Sequence, residues 1–540
     1  MRALFLSLLV ALGAGSEAGP QTAPQWETIE IPFEIRPRAE NPYLSVDGHV
    51  LFQHSSGEHV RRPLFWDGAD RFAVRFASTR SEGRWEWELS LPEGLETTSA
   101  RRGAVEAAPA TGTTRFSRHG FWTVPRGARQ MIHRDGTSVI LVGDTAWALP
   151  WRATPEQVRR YAADRRDKGF NAALLMTIQP DMGAEGPPDR EADGGFAVAF
   201  EDLPTGHIRE LNVDYFKYFD TLHAVLVEHG IAPVFQPVFH GYGWKGLRTA
   251  GNVIPPDEYA RFCRYLVARY GAAPAIWLVG GDGIGDAPGI GPGGEAIEDW
   301  DDYEQPTGMH YAPHGKTDSF QDAAWLDFQW AQTGHNGEHL PEVALAVYRQ
   351  KPVKAAANGE PSYENMGAPG RAAGWWQGHE AWSNLCAGGS MGVVYGAGSL
   401  WNWVLHPGEP GHQDWTLAKG KAWYDALEFE GSRYVGNVGR ILNAYATHGA
   451  EPNWRLVPPR RALHRPGKLF VLYLSQGGST WTPYVDQLPR RYRIYDPRTA
   501  ALITEGRLAE DASGSPLIDT GSTDPRVIVF YEPEAEQASP

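Results

Sequence analysis

Two carboxylates, each closing an apolar run, are the residues of this chain best placed to do chemistry. Asp282 ends the run Ala275-Ile-Trp-Leu-Val-Gly-Gly-Asp282, and Glu360 ends Pro352-Val-Lys-Ala-Ala-Ala-Asn-Gly-Glu360. Each run reads as a short buried strand, and each acid stands where the strand gives way to a Gly- or Pro-containing loop. Paired carboxyl groups suit cleavage of a glycosidic bond: one protonates the departing oxygen, the other attacks the anomeric carbon or activates water. Other polar and aromatic residues follow further apolar runs: Asp144 and Trp147, Gln236, His240, Tyr242 and Trp244, His310, His335, Tyr363 and Glu364, Trp401 and Trp403. Read as substrate contacts, they offer hydroxyl-binding tips and aromatic platforms for sugar rings.

Each of these residues also has a plainer reading. Asp282 sits in Gly-Gly-Asp-Gly, a sequence that also makes an ordinary turn. Glu360 before Pro361 is a poor helix cap and a poor turn former, which strengthens it as the nucleophile. Asp144, in Gly-Asp-Thr, can cap a helix or brace its strand, and is read here as a sugar-hydroxyl contact. Glu364 reads as a support for neighbouring groups rather than a catalyst, and one of Trp401 and Trp403 as a sugar platform. The histidines show neither His-Glu-x-x-His nor any other usual ligand spacing, so no metal and no cofactor is expected. Cys263 and Cys386, the only cysteines, fall in segments read as helices and are taken as inert buried thiols.

The elements that must position the two acids alternate between strand and helix. Val139–Gly143 reads as a first strand, and Thr154-Pro155 caps a helix running to Gly169. Phe170–Met176 follows as strand two. Asn212 caps a helix with Tyr215, Phe219, Leu222 and Leu226 on one face, and Ile231–Phe239 is strand three. Asp257–Tyr270 is a helix, and Ala275–Gly281 strand four. Gly283–Gln321 reads as a long polar loop, its glycines giving a flexible rim, with strand five at Thr307–Tyr311. Leu326–Ala331, Val353–Ala357 and Met391–Tyr395 complete the set, and Trp415–Phe429 reads as the last helix. Eight such units imply an α/β (β/α)8 barrel with its chemistry in the loops after the strands; a doubly wound open sheet is the alternative.

Flanking segments have a different rhythm. Arg71–Phe76 and Arg84–Leu89 alternate apolar and polar residues, as in a small β-sandwich over residues 19–115. The barrel is assigned to 116–432. Leu469–Leu474, Tyr492–Tyr495 and Val527–Tyr531 mark a second small β-domain over 433–540. Residues 1–18 resemble a secretory signal, with Arg2, an apolar stretch from Ala3 to Leu12, and Ser16 and Ala18 before the cut, so a secreted or periplasmic protein is expected. The net charge of −15 argues against nucleic acid and anionic membranes as partners, and no other stretch is long and apolar enough to insert in a bilayer. The 21 Trp and 21 Tyr suit a carbohydrate partner. Oligomeric state is left open.

Gly143-Asp-Thr-Ala-Trp147, Ile276-Trp-Leu-Val-Gly-Gly-Asp282, Asn358-Gly-Glu-Pro-Ser-Tyr-Glu364 and Gly388-Gly-Ser-Met-Gly-Val-Val-Tyr-Gly396 together resemble the apiosidase-like glycoside hydrolases. The closing domain is similar to one named for collagen binding, and Tyr495-Asp-Pro-Arg498 matches its recurring turn. The resemblance implies a barrel between two β-domains, with Asp282 as acid/base and Glu360 as nucleophile. It departs where Gly283, rather than Arg-Pro, follows the aspartate, so apiose is not implied as the sugar. The expectation is a secreted, retaining glycosidase acting on plant or algal polysaccharide side chains. A non-catalytic carbohydrate-binding barrel and a metal-dependent hydrolase are the alternatives.

Overall fold

The computed structural model describes residues 21–36, 40–179, 198–241, 249–335, 337, 339–366, 373–409, 420–453, 460–481, 487–508 and 517–537. The expected signal segment, Tyr242 and Trp244 lie outside the described residues. At the centre stand eight parallel strands: β1 Leu141–Thr145, β2 Ala172–Met176, β3 Ala232–Gln236, β4 Ile276–Gly283, β5 Thr307–Tyr311, β6 Phe328–Gln332, β7 Ala355–Glu360 and β8 Gly392–Tyr395. Neighbours in sequence are neighbours in the sheet, and β8 pairs back onto β1. A backbone bond from Met391 to the Ala356 carbonyl draws β7 and β8 together and nearly closes the circle. This is the (β/α)8 barrel. All eight expected strands are present, several moved by two residues toward their C-termini.

The helices begin and end where local chemistry dictates. In α1, Pro155–Lys168, the Thr154 hydroxyl accepts from the Gln157 backbone while the Gln157 side chain returns a bond, and Gly169 ends the helix in the left-handed region. The Asn212 side chain caps α2, Val213–Glu228, whose Tyr215, Phe219, Leu222 and Leu226 are fully buried against the barrel. Then come α3 Pro256–Tyr270, α4 Ile290–Trp300, α5 Pro341–Tyr348, α6 Trp375–Cys386 and α7 Glu430–Leu442. Cys263 on α3 and Cys386 on α6 are buried free thiols.

Two expectations are corrected. The glycine-rich segment after Asp282 is not a loop throughout, because Ile290–Trp300 is helical. A Cβ at Gly293 would collide with Tyr259, and one at Gly294 with Trp325, so these glycines permit close packing rather than flexibility. Among the described residues the last helix starts at Glu430 and Ala426–Glu428 is only a 3-10 turn, while Trp415 lies outside them. The boundary expected at 432 therefore falls inside α7, whose Gly436 and Gly439 pack against Lys168 and Val142 of the barrel.

Before the barrel, a five-stranded and a four-stranded sheet face each other, with Phe52 stacked on Phe76 at 4.0 Å. After it, a six-stranded antiparallel sheet includes Leu469–Leu474 and Arg526–Tyr531, each buried along its whole length. One side of Leu469–Leu474 lies against α6, where Tyr473 stacks on Trp382 at 5.8 Å. Its other side, with Phe470 and Leu472, closes the sheet's own core.

Candidate active site

Glu360 is the last residue of β7 and is 8% exposed. Both of its carboxylate oxygens are met. His335 Nε2 lies 3.2 Å from Oε1 and His310 Nε2 lies 3.2 Å from Oε2. The Tyr363 hydroxyl also bonds to this carboxylate. Burial alone would raise the Glu360 pKa; the His335 hydrogen bond, the two nearby imidazoles and Tyr363 outweigh it and hold the carboxyl below its usual range. An anionic carboxylate is the form that attacks carbon or accepts a proton.

Hydrogen-bond partners place the protons on both histidines. His335 Nδ1 is 3.1 Å from the Pro361 carbonyl, which only accepts, so Nδ1 carries hydrogen. Its Nε2 faces Glu360. His310 is arranged the other way. Its Nδ1 accepts the Asp282 backbone N–H at 3.2 Å, so its hydrogen is on Nε2, facing Glu360. Complete burial lowers the His310 pKa, against the pull of Glu360, and the ring is neutral. One imidazole from β5 thus touches both acid-bearing strands.

Asp282 owes its placement to irregular backbone. β4 slips register against β5 twice, between Leu278 and Gly280 and again before Gly283, and Asp282 itself has φ +56°. Bulges of this kind re-aim side chains beside active sites, and Asp tolerates the left-handed region better than most residues. Its carboxylate packs on the Gly241 backbone, where any Cβ would collide with Oδ2. Gly281 is equally constrained, because a Cβ there would occupy the place of the Gln236 amide.

A family model for the apiosidase-like catalytic domain matches residues 126–448. The chain belongs to the apiosidase-like family. A second model, a domain of unknown function named DUF5060, matches residues 22–92. No curated protein matches the chain. Among solved structures it resembles a glycoside hydrolase family 5 protein from Bacteroides vulgatus, at 18% identity and TM-score 0.65 over 79% of this chain and 98% of that one. A protein named glycoside hydrolase is matched at 18% identity and TM-score 0.62, over 79% and 100% of the two chains. A second Bacteroides vulgatus structure covers 95% of this chain and 100% of its own, at 14% identity and TM-score 0.68. These identities speak for the fold alone; the family match speaks for the chemistry. This apiosidase-like protein is a glycoside hydrolase, and its substrate is a carbohydrate.

The barrel of this apiosidase-like enzyme sorts the remaining expected site residues. Trp147 joins the Glu360 cluster as a buried support: its Nε1 donates to the Tyr363 hydroxyl at 3.0 Å, and its ring lies over His310 at 6.2 Å. The Tyr363 ring packs on His335 at 4.1 Å. Gln236 and His240 stand on the Asp282 side, both buried, the Gln236 Nε2 without a hydrogen-bond partner. Trp401 is 7% exposed with its indole N–H likewise unpaired.

Three of these residues are held by contacts within the protein. Asp144 is fully buried and its Oδ2 is 2.5 Å from Arg165 Nε, so it braces β1 against α1 and has no face for a sugar. Trp403 is also fully buried, stacked at 5.0 Å on Trp423 with its Nε1 bonded to Gln157, so both ring faces are unavailable as a platform. Glu364 accepts from the Tyr395 hydroxyl at 2.7 Å and the Gly431 N–H at 3.1 Å, tying the loop after β7 to β8 and α7 rather than to substrate.

Sequence reasoning placed His310 on the rim but did not find its bridging role. It also missed Glu380 and Gln377 of α6. Gln377 donates to the Ser362 carbonyl at 2.9 Å, and Glu380 accepts the Ser362 N–H at 3.2 Å and the Thr333 hydroxyl at 2.9 Å. Their i, i+3 spacing puts both on one helix face, the only signal available. Gly396 completes the cluster, since a Cβ there would strike the Tyr363 ring.

Proposed function

We propose that this enzyme is an exported, retaining glycosidase acting on side chains of plant or algal polysaccharides or on their oligosaccharides. Glu360 attacks the anomeric carbon and forms a glycosyl-enzyme ester while Asp282 protonates the departing oxygen. Asp282, now a carboxylate, takes a proton from water, and the resulting hydroxide equivalent releases the sugar and frees Glu360. The observation that carries this reading is the set of donors around Glu360. Tyr363 and the two histidines favour its anion, which suits a nucleophile and not a proton donor. Asp282 reaches the mouth from the strand that His310 ties to Glu360.

The test is kinetic and stereochemical. Glu360→Gln and Asp282→Asn keep shape and remove a charge or a proton, so each is expected to cost several orders of magnitude in turnover with thermal stability retained. Turnover is measured against a panel of aryl glycosides and cell-wall oligosaccharides. NMR of the first-formed product should show the substrate's own anomeric configuration; the opposite anomer appearing first overturns retention even if both acids are essential.

A further inference from the structure

Beside Asp282 lies a cavity of about 190 Å3 walled by His240, Asn252, Ile284, Asp286 and Ile290. None of these residues belongs to the Glu360 cluster. His240 is 2% exposed, and neither ring nitrogen makes a hydrogen bond of normal geometry, although the Val238 carbonyl approaches the ring. A buried ring in this state is under-satisfied, and a hydroxyl entering the cavity would satisfy it. Asn252 directs its Nδ2 to the His240 carbonyl at 3.0 Å and the Thr249 hydroxyl at 2.6 Å, which leaves Oδ1 as an open acceptor. Ile284, two residues beyond Asp282, is 52% exposed, an unusual state for a large apolar side chain. His240 and Asn252 offer hydrogen-bonding groups and Ile284 and Ile290 apolar surface, the two kinds of contact that a sugar ring makes.

We propose that this cavity is the leaving-group subsite and that it takes a single neutral sugar ring. The proposal rests on Asp282 being the proton donor. A proton donor must reach the oxygen between two sugars, so the sugar beyond that oxygen stands on the donor's side, away from the nucleophile. Asp282 packs on Gly241, next to His240, and Gly283 separates it from Ile284, so the cavity occupies that side. At about 30 Å3 per water the space equals roughly six waters, room for one ring and not for a chain. The charge class follows from the walls. Asp286 is exposed at the cavity, and no described lining residue is a lysine or arginine. Burial pushes the His240 pKa down to about 4, so it offers one donor and one acceptor but no charge. Among the described residues a uronate would meet a like charge with no counter-ion.

Methyl NMR tests this without needing turnover. Full-length enzyme carrying 13C-labelled isoleucine δ1 methyls is titrated with galactose, xylose, arabinose, rhamnose and galacturonate. The Ile284 and Ile290 signals are assigned from Ile284→Val and Ile290→Val. At least one neutral sugar should shift both signals, with galacturonate binding about tenfold more weakly and Asn252→Ala weakening the neutral sugar about tenfold. Shifts by galacturonate as strong as those by galactose overturn the charge class, and no shift by any neutral sugar overturns the subsite. The catalytic reading fails separately: neutral-sugar binding at Ile284 together with full activity of Asp282→Asn keeps the pocket and removes its leaving-group role.

Discussion

Glu360 and Asp144 are both buried carboxylates at barrel strands, and their partners separate their roles. Asp144 faces Arg165, itself fully buried, and the pair holds β1 to α1. Asp144→Ala leaves a buried guanidinium short of a counter-charge, so it should destabilise the fold by about 3–5 kcal/mol. Chemical denaturation checks this, and the folded fraction should keep the wild-type KM. Glu360 faces two imidazoles and a phenol, and His310, whose Nε2 lies 3.2 Å from Oε2, is the one that also touches Asp282's strand. His310→Leu is expected to lower kcat/KM about 10- to 100-fold, the usual cost of losing a positioning partner. His310→Gln, able to accept from Asp282 and donate to Glu360, should recover much of the loss. Equal losses in the two variants would mean that His310 acts through packing alone. Residue types at strand ends were enough to find both acids, whereas the partners that distinguish Glu360 from Asp144 lie far away in sequence. His310 is 28 positions from Asp282, and Asp144 is 21 from Arg165.

At the scale of elements, α6 does for the loop after β7 what the bulges do for β4. Gln377 and Glu380 hold the Ser362 backbone by its carbonyl and its N–H, which presents Pro361 to His335 and Tyr363 to Glu360. Glu380 is 1% exposed, and burial pushes its pKa up to about 7 despite the Thr333 and Ser362 bonds. The sign follows. The folded protein binds a proton here that the unfolded chain releases near pH 4.5, so stability falls as pH rises from about 4.5 to 7 and stays at the lower level above that. The raised pKa corresponds to about 3 kcal/mol. Melting of Glu380→Gln, which carries no such proton, should therefore gain on the wild type across that window; parallel melting curves from pH 5 to 8 would show that Glu380 does not titrate there. Strand and helix rhythm made these elements legible because apolar runs and caps are local signals, as at Thr154 and Gly169. The α4 glycines were misread for the opposite reason: nothing near Gly293 in sequence reveals that Tyr259 will press on it.

At the scale of the whole molecule, the alternation of rhythms marked a barrel between two β-regions, but how they join depends on contacts that no local pattern carries. Between the first sandwich and the barrel runs a network of charges. Arg75 Nη2 of the sandwich lies 2.6 Å from Asp220 of α2, and Arg269 of α3 lies 2.7 Å from Asp220 and 3.1 Å from Asp67 of the sandwich. Asp220 is thus shared by two guanidinium groups from two units. Burial would raise its pKa, yet Arg75 and Arg269 pull it down to about 2. Its stabilising contribution is present above pH 3.8 and lost as pH falls through about 2, and corresponds to about 2–3 kcal/mol at neutral pH. Such a joint predicts that sandwich and barrel unfold together. Calorimetry of the full chain at pH 7 should show these two units melting in one transition, and Asp220→Asn should lower that transition as a whole. A sandwich melting by itself in the variant, with the barrel's transition unmoved, would mean that the two units are merely tethered and that these ion pairs add nothing to the barrel.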